Sequence, residues 1–297
     1  MPRIARMIVK DEPTVYHVIS RTALKGFVLK DQDKDYFLNL IRSLSKVYFT
    51  EVLGFCIMGN HFHLLVKMLM AEEFSIEELQ KRYKLYYGDK NKTNISKDQI
   101  PFYRNKWSNL SEYIREIKQT FSKYYNRTHD RKGYFWSERF KSLIVDNGET
   151  LINCLAYVDL NPVRAGIVKK PEEYRWSSLG YHVQTRNKEG FLSLDFGLKE
   201  FSVNPDQDRF KYYRKYVYEK AGLVKGQEQK EYDLNAIERF KYRTRYFSDS
   251  GIIGSKEFVS RIYQEFKSHF SSRREKEPRT IRGLTGVYSL KRLSESI

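Results

Sequence analysis

The chain has 297 residues, and its 54 lysines and arginines outnumber its 37 aspartates and glutamates, which gives a formal net charge of +17. Hydrophobic residues make up 40% and aromatic residues 15% of the chain, enough to bury a sizeable core, so a wholly disordered chain is excluded. A charge of this size attracts polyanions at long range, and aromatic side chains stack on bases, so nucleic acid is the leading candidate partner. The alternative is a basic protein with no particular target. No apolar run approaches the roughly 20 residues of a membrane-spanning helix, and no membrane partner is expected.

Cysteine usage and the N-terminus bear on the compartment. The only two cysteines, Cys56 and Cys154, have apolar surroundings and are expected to be buried free thiols, as in a reducing compartment. The first residues, MPRIARMIVKDEP, lack the apolar region of a secretory signal. These features predict a cytoplasmic protein.

Strand and helix patterns alternate over the first 185 residues. Alternating apolar and polar residues predict a strand at 14–23, and helical spacing with an acidic start predicts a helix at 31–49. Apolar strand material on both sides of Gly59-Asn60 fits either one bulged strand or a tight hairpin. The later elements are a helix at 75–88, a polar excursion at 97–107 and a helix at 110–130. The segment 132–146 ends in a strand, and a helix at 148–161 is stopped by Pro162.

Together these elements predict a mixed α/β (α+β) domain over residues 1–185 with a small antiparallel sheet. Residues 186–204 have a loop-like composition and are predicted to be a linker. Residues 205–297 are predicted to form a basic helical C-terminal extension, with DNA binding as its candidate role. Within this extension, helices are expected at 205–222, 232–247 and 254–270, followed by a basic tail.

Two histidines, His61 and His63, flank Phe62 in a segment that reads as a strand. Residues i and i+2 of a strand share a face, so both imidazoles project together while Phe62 points into the core. The pair fits a metal site and a solvated strand face equally well. The other histidines are His17, His129, His182 and His269. They are too scattered for a binuclear hydrolase, and the HExxH, Walker-A, GxSxG and CxxC motifs are missing.

A second chemical motif lies in the segment AYVDLNPVRAG. On a continuous helix, Tyr157 and Asn161 at i and i+4 share a face, which places a nucleophilic phenol beside a carboxamide oxygen. The alternative is that Tyr157 is a core aromatic and Asn161 caps a new turn with Pro162 at its first position. The spacing alone leaves both open.

Five segments in this order resemble the single-tyrosine HUH transposases of the IS200-like superfamily, and most closely their REP-associated tyrosine transposase branch. They are YHVISR (16–21), GNHFHLLV (59–66), GYFWSERFKS (133–142), YVDLNPVRAGIV (157–168) and YRWSS (174–178). HUH denotes His-hydrophobic-His, which His61, Phe62 and His63 match. The resemblance spans roughly residues 10–185.

The resemblance implies a ferredoxin-like HUH nuclease core in which His61 and His63 bind Mg²⁺ or Mn²⁺, with Asn161 as third ligand. It implies that Tyr157 attacks single-stranded or hairpin DNA, giving a 5′-phosphotyrosine and a 3′-OH that permits rejoining. The protein would then be a DNA endonuclease and strand transferase acting on repetitive palindromic elements. The alternative is a catalytically inactive nucleic-acid-binding protein on the same fold. A monomer and a homodimer both fit.

Basic side chains provide candidate DNA contacts. Arg139 and Lys141 alternate with Phe140, so both cations are expected on one face, where they either contact phosphates or form a solvated basic edge. Further candidates of the same kind are Arg115, Lys118 and Arg127 on the long helix, and Arg164.

Overall fold

A computed structural model describes residues 6–88, 94–193, 209–220, 246–270, 275–281 and 284–290. Within these ranges no helix combines the length and the apolar character needed to cross a bilayer. Cys56 and Cys154 are buried free thiols, as predicted.

Four antiparallel strands form the centre of the sheet, in the spatial order β2-β3-β1-β4. They are β1 (Thr14–Arg21), β2 (Thr50–Ile57), β3 (His61–Met68) and β4 (Lys141–Val145). Helix α1 (Asp31–Ser45) connects β1 to β2, and α4 (Leu110–Thr128) precedes β4. This βαββαβ arrangement is the ferredoxin-like topology, so the predicted fold class is confirmed.

The segment around Gly59-Asn60 is a tight hairpin rather than one bulged strand. Strands β2 and β3 pair from Thr50 opposite Met68 to Ile57 opposite Phe62, and the Met58 amide donates to the His61 carbonyl across the turn. A register shift between Val52 and Gly54 places a bulge inside β2.

Two helices lie between β3 and α4, where the sequence predicts one. Helix α2 (Ile76–Tyr87) matches the predicted helix at 75–88, with the Ser75 hydroxyl accepting from the Glu78 amide. The predicted polar excursion at 97–107 is wrong, because it contains a 3₁₀ turn and then helix α3 (Ile100–Trp107). Pro101 suits the first turn of this helix, and burial of Tyr103 and Trp107 anchors it.

The sheet separates two layers of helices. On one face, Phe62 packs against Phe37 of α1, and Phe37 contacts Phe121 of α4, with ring centroids 4.9 and 4.7 Å apart respectively. On the other face lies α5 (Glu149–Asp159), whose close approach depends on Gly54, where an added Cβ would overlap the Leu155 side chain. The two helix layers therefore place α5 over the histidine face.

Helix α5 ends at Asp159, and α6 (Asn161–Arg164) begins with Pro162 in its first turn. Helix α5 confirms the predicted helix at 148–161, but helical structure continues past Pro162, where the prediction ends it, as the short helix α6. The linking residue Leu160 keeps right-handed helical geometry. The Leu160 N–H donates a hydrogen bond to the Ala156 carbonyl and the Arg164 N–H donates one to the Leu160 carbonyl, so the junction is nearly continuous. Helix α7 (Ser178–Thr185) follows.

The C-terminal extension is not purely helical, which corrects the prediction. Helix α8 (Arg209–Lys220) lies within the predicted helix at 205–222, and α9 (Lys256–Glu265) lies within that at 254–270. Between and after them, three short strands extend the sheet to seven, namely β5 (Ile252–Gly254), β6 (Arg279–Thr280) and β7 (Tyr288–Ser289).

Strand β5 pairs parallel to β4, so one sheet runs from the predicted first domain into the predicted extension. Ile252 and Ile253 are wholly buried. Of the predicted helix at 232–247, residues 232–245 lie outside the described residues, while 246–249 are helical. Residues 194–204 of the predicted linker also lie outside them, and the division into domains stays a prediction.

Candidate active site

The histidine pair lies on β3, on the face opposite Phe62. In the β1–β3 register, Arg21 is opposite His61 and Ile19 is opposite His63. Because alternate residues of a strand share a face, His17 of β1 lies on this face as well. The two imidazoles therefore project together while Phe62 enters the core, as predicted.

His61 sits at the beginning of β3, partly exposed. Its Nδ1 lies 2.7 Å from Asn60 Oδ1, and the Asn161 side chain lies beside the imidazole. Burial, reinforced by the nearby Arg21 charge, lowers the pKa of His61 to about 4. The ring is therefore neutral at physiological pH, as a metal ligand must be.

His63 is buried and stacks on His17, with ring centroids 5.1 Å apart. His63 Nδ1 lies 3.0 Å from His17 Nε2, and His17 Nδ1 lies 2.6 Å from the Phe247 carbonyl oxygen. Burial lowers the pKa of His63 well below its ordinary value and that of His17 to about 4. Three neutral imidazoles thus share this face.

Tyr157 projects from α5 onto the same face. Its ring meets the His63 ring edge-on, with centroids 5.5 Å apart, and stacks on Phe247 at 5.4 Å. The Arg164 guanidinium lies 4.2 Å from the ring centroid. Burial raises the pKa of Tyr157, and the Arg164 charge partly offsets that rise. The phenol is therefore protonated at neutral pH.

The α5–α6 junction also positions Asn161, which is largely buried against His61. A buried carboxylate, Asp159, fixes this junction. Its Oδ1 accepts from the Ser178 hydroxyl at 2.6 Å and the Leu179 amide at 2.9 Å, and its Oδ2 accepts from the Tyr213 hydroxyl of α8 at 2.6 Å. Helices α7 and α8 thereby hold the end of the helix that carries Tyr157.

The side chains present suit a divalent metal with mixed nitrogen and oxygen ligands. His61 and His63 offer neutral imidazole nitrogens, and Asn161 offers a carboxamide oxygen beside His61. Within the described residues, no three His, Cys, Asp or Glu side chains are grouped as a metal site. Among the described residues, Asn161 is a neutral oxygen donor beside His61 and would be the third protein ligand, with the remaining positions left to water or a substrate oxygen.

A cleft of about 400 Å³ opens onto the histidine pair. Its wall includes His61 and His63, together with the charged residues Arg21, Glu138, Arg139, Lys141 and Asp249. Tyr157 and Asn161 are not part of this wall. The nucleophile candidate thus lies behind the histidines, covered by Phe247.

A second cleft of about 380 Å³ continues the first. The two share Arg139, Lys141, Ser248 and Asp249, and the second adds Arg6, whose guanidinium lies 3.5 Å from the Phe140 ring centroid. We refer to these two adjoining clefts, which lie beside the histidine pair and the start of β4 and are predominantly basic, as the groove.

The predicted DNA-contacting cations fall into three groups. Arg139 and Lys141 are exposed on either side of buried Phe140 and line both clefts, and Lys141 pairs with Asp249 at 3.2 Å. Arg164 lies against Tyr157. The cations on α4 do not line either cleft. Arg115 pairs with Glu112, Lys118 donates to the Glu138 carbonyl oxygen at 2.8 Å, and Arg127 is exposed.

Sequence reasoning did not identify four residues that shape the site, namely His17, Arg21, Asp159 and Phe247. His17 and Arg21 follow from strand periodicity only once β1 is known to pair with β3. Asp159 gives a usable signal, a carboxylate within an otherwise apolar helix, which requires buried hydrogen-bond donors. Phe247 lies about 90 residues from Tyr157, and no local pattern links the two.

Comparisons of the sequence with a family model and with a curated protein agree with the resemblance. Residues 12–107 match the family model "Transposase IS200 like". A Haemophilus influenzae protein classed as a REP-associated tyrosine transposase is 28% identical over 158 residues, which covers 51% of this chain and 75% of that protein. A solved structure of a REP-associated tyrosine transposase bound to a REP hairpin superposes with a TM-score of 0.43 at 15% identity, covering 70% of this chain and 94% of that one. Residues 12–107 of this chain are therefore similar to IS200-like transposases, and the predicted resemblance to REP-associated tyrosine transposases is confirmed.

Proposed function

We propose that this protein cleaves and rejoins single-stranded or hairpin DNA through a 5′-phosphotyrosine on Tyr157, with a divalent metal at His61, His63 and Asn161. The observation that carries the proposal is the convergence of β3 with the α5–α6 junction. It brings the Tyr157 ring to 5.5 Å from the His63 ring and the Asn161 side chain next to His61. This is the side-chain set that tyrosine-based strand transfer requires.

Each group at the site has a separate role in the proposed reaction. Bound Mg²⁺ or Mn²⁺ supplies a Lewis acid for the scissile phosphate. The Tyr157 oxygen bonds to phosphorus as the bond to the 3′ oxygen breaks; the phenolic proton passes to solvent, and the leaving oxygen is protonated to a 3′-OH. The covalent ester conserves the phosphodiester, so a second 3′-OH can reverse the step and join strands without ATP. Arg164 favours the deprotonated phenol by its charge.

The groove supports DNA as the substrate. Arg6, Arg21, Arg139 and Lys141 line its two parts, and Lys141 is neutralised in part by Asp249. Guanidinium groups bind phosphate oxygens, and an unpaired strand can follow such a groove past the histidines. The class of the Haemophilus influenzae relative supports a palindromic hairpin as the natural form of this strand. The buried free thiols and a DNA substrate support a cytoplasmic location.

One observation favours a second candidate, a nucleic-acid-binding protein without catalysis. Tyr157 is buried under Phe247, outside the cleft wall, and its pKa is raised. If this covering persists when DNA binds, the phenol does not reach a phosphate. The protein would then hold the strand in the groove without cleaving it.

Incubation of the purified full chain with Mn²⁺ and a labelled hairpin bearing a single-stranded flank separates the two candidates. We expect a covalent protein–DNA adduct that resists denaturant, is lost in Tyr157→Phe, and persists in Tyr134→Phe, whose ring is 80% exposed. Tyr157→Phe should still bind the hairpin. Binding without an adduct, across hairpins of varied sequence, would favour the binding protein.

A further inference from the structure

We infer that His17 is a positioning residue that fixes the tautomer of His63, and that the C-terminal extension anchors this arrangement through the Phe247 carbonyl. The inference deepens the proposed function, on which it rests through the role of His63 as a ligand. The arrangement is a chain of two hydrogen bonds on one face of the sheet, from His63 Nδ1 to His17 Nε2 at 3.0 Å and from His17 Nδ1 to the Phe247 oxygen at 2.6 Å.

The direction of both hydrogen bonds follows from the carbonyl, which can only accept. His17 Nδ1 must therefore carry a proton, which it donates to the Phe247 oxygen. A neutral His17 then has no proton on Nε2, so this nitrogen accepts from His63 Nδ1–H. Neutral His63 is left with its unprotonated lone pair on Nε2, the nitrogen that a metal would bind.

The same reasoning removes His17 from the candidate ligands. Both of its ring nitrogens are engaged, one by His63 and one by the backbone, and its side chain is wholly buried. Its neighbour Tyr16 faces the other side of the strand, so the position of His17 is set by β1 itself. His17 thus orients a ligand without being one.

The anchor comes from a different part of the chain. Phe247 belongs to the helical residues 246–249, which lie well beyond residues 12–107 that match the transposase family, and its ring also stacks on Tyr157 at 5.4 Å. One residue of the extension therefore contacts both halves of the site, His17 through its carbonyl and the nucleophile candidate through its ring. This gives the extension a role in assembling the active site, besides any contact with DNA.

The test compares the wild-type full chain with His17→Phe and His17→Gln. Phenylalanine keeps a planar ring but removes both hydrogen bonds, whereas glutamine can still donate to the Phe247 oxygen and accept from His63. The first readout is the ¹⁵N NMR tautomer of His63 in metal-free, histidine-labelled protein at neutral pH, which requires no catalysis. The second is the Mn²⁺ dissociation constant of the same samples.

We expect wild type and His17→Gln to hold His63 with its proton on Nδ1, and His17→Phe to lose this preference. Mn²⁺ affinity should fall about 10- to 100-fold in His17→Phe and stay within a few-fold of wild type in His17→Gln. A proton on Nε2 of His63 in the wild type, or unchanged tautomer and affinity in His17→Phe, would overturn the inference. If wild type binds no Mn²⁺, the metal-dependent function fails, and the tautomer measurement alone decides the role of His17.

Discussion

The close approach of α5 to the sheet makes Gly54 a sensitive position. A Cβ built on Gly54 would overlap Leu155 Cδ1 and lie 3.1 Å from Ser178 Oγ, so Gly54→Ala must displace the Leu155 side chain or the helix. Overpacking of a well-packed core costs about 1–3 kcal/mol of unfolding free energy. Leu155 precedes Tyr157 by two residues, and a displacement of about 1 Å at a reacting group can cost about 100-fold in rate. We therefore expect Gly54→Ala to impair cleavage as well as stability.

A double-mutant cycle isolates this contact. Leu155→Ala alone should cost about 2–5 kcal/mol, because it removes a buried side chain. In the double variant the new methyl group occupies part of the space left by Leu155. The combined loss should thus be smaller than the sum of the single losses by more than about 0.5 kcal/mol, the usual scatter of additive pairs.

Urea unfolding of the four proteins measures the coupling, and the rate of adduct formation measures the position of Tyr157. Losses that simply add, or a Gly54→Ala protein as stable and active as wild type, would refute the account of how α5 is placed over the histidines.

Three further predictions concern charge. Because burial lowers the folded pKa of His17 and His61 to about 4 from an ordinary 6.5, the unfolded chain takes up protons first, and these groups should lower the stability of the metal-free protein between pH 6.5 and 4, by up to about 3 kcal/mol for His17. Burial raises the pKa of Asp159 to about 6, which offsets part of this loss, so urea unfolding across this pH range is compared between wild type and His17→Gln, and parallel profiles contradict the prediction. Arg139→Gln should weaken the binding of single-stranded DNA uniformly across sequences and reduce the slope of log K against log salt concentration by about 0.7. Arg127 lies outside both clefts, so Arg127→Gln should change neither quantity. Equal effects of the two substitutions, in binding titrations at several salt concentrations, would show that the DNA does not follow the groove. Arg164→Gln should raise the pKa of Tyr157 further and move the pH–rate profile for adduct formation to higher pH, and an unmoved profile would show that Arg164 does not act on the phenol.

The sequence predicts the ferredoxin-like core well because local patterns there agree with the final packing. The strand periodicity around Phe62 and the helical spacing at 31–49 both survive in the fold. The excursion at 97–107 fails because its helix is stabilised by tertiary burial of Tyr103 and Trp107, which short-range polarity conceals. In the extension, the short strands pair only through contacts with β4 and with each other, and no local signal marks them.

The candidate site divides in the same way. The motif residues His61, His63, Tyr157 and Asn161 can be selected from the sequence through the family resemblance, and the structure brings them together. The residues that orient them come from other strands and helices. His17 depends on the β1–β3 register, and the Phe247 carbonyl is a backbone group whose role no side-chain motif can reveal.

The most direct test of the central claim is peptide mapping of the covalent adduct. After reaction with a hairpin in Mn²⁺, nuclease digestion of the DNA and proteolysis of the protein, mass spectrometry identifies the tyrosine that carries the nucleotide. We predict a single 5′-nucleotidyl modification on Tyr157, absent without the metal and absent in His63→Ala. A modification on any other tyrosine, or an adduct formed equally well in His63→Ala, would contradict the assignment of His63 and Tyr157 to one active site.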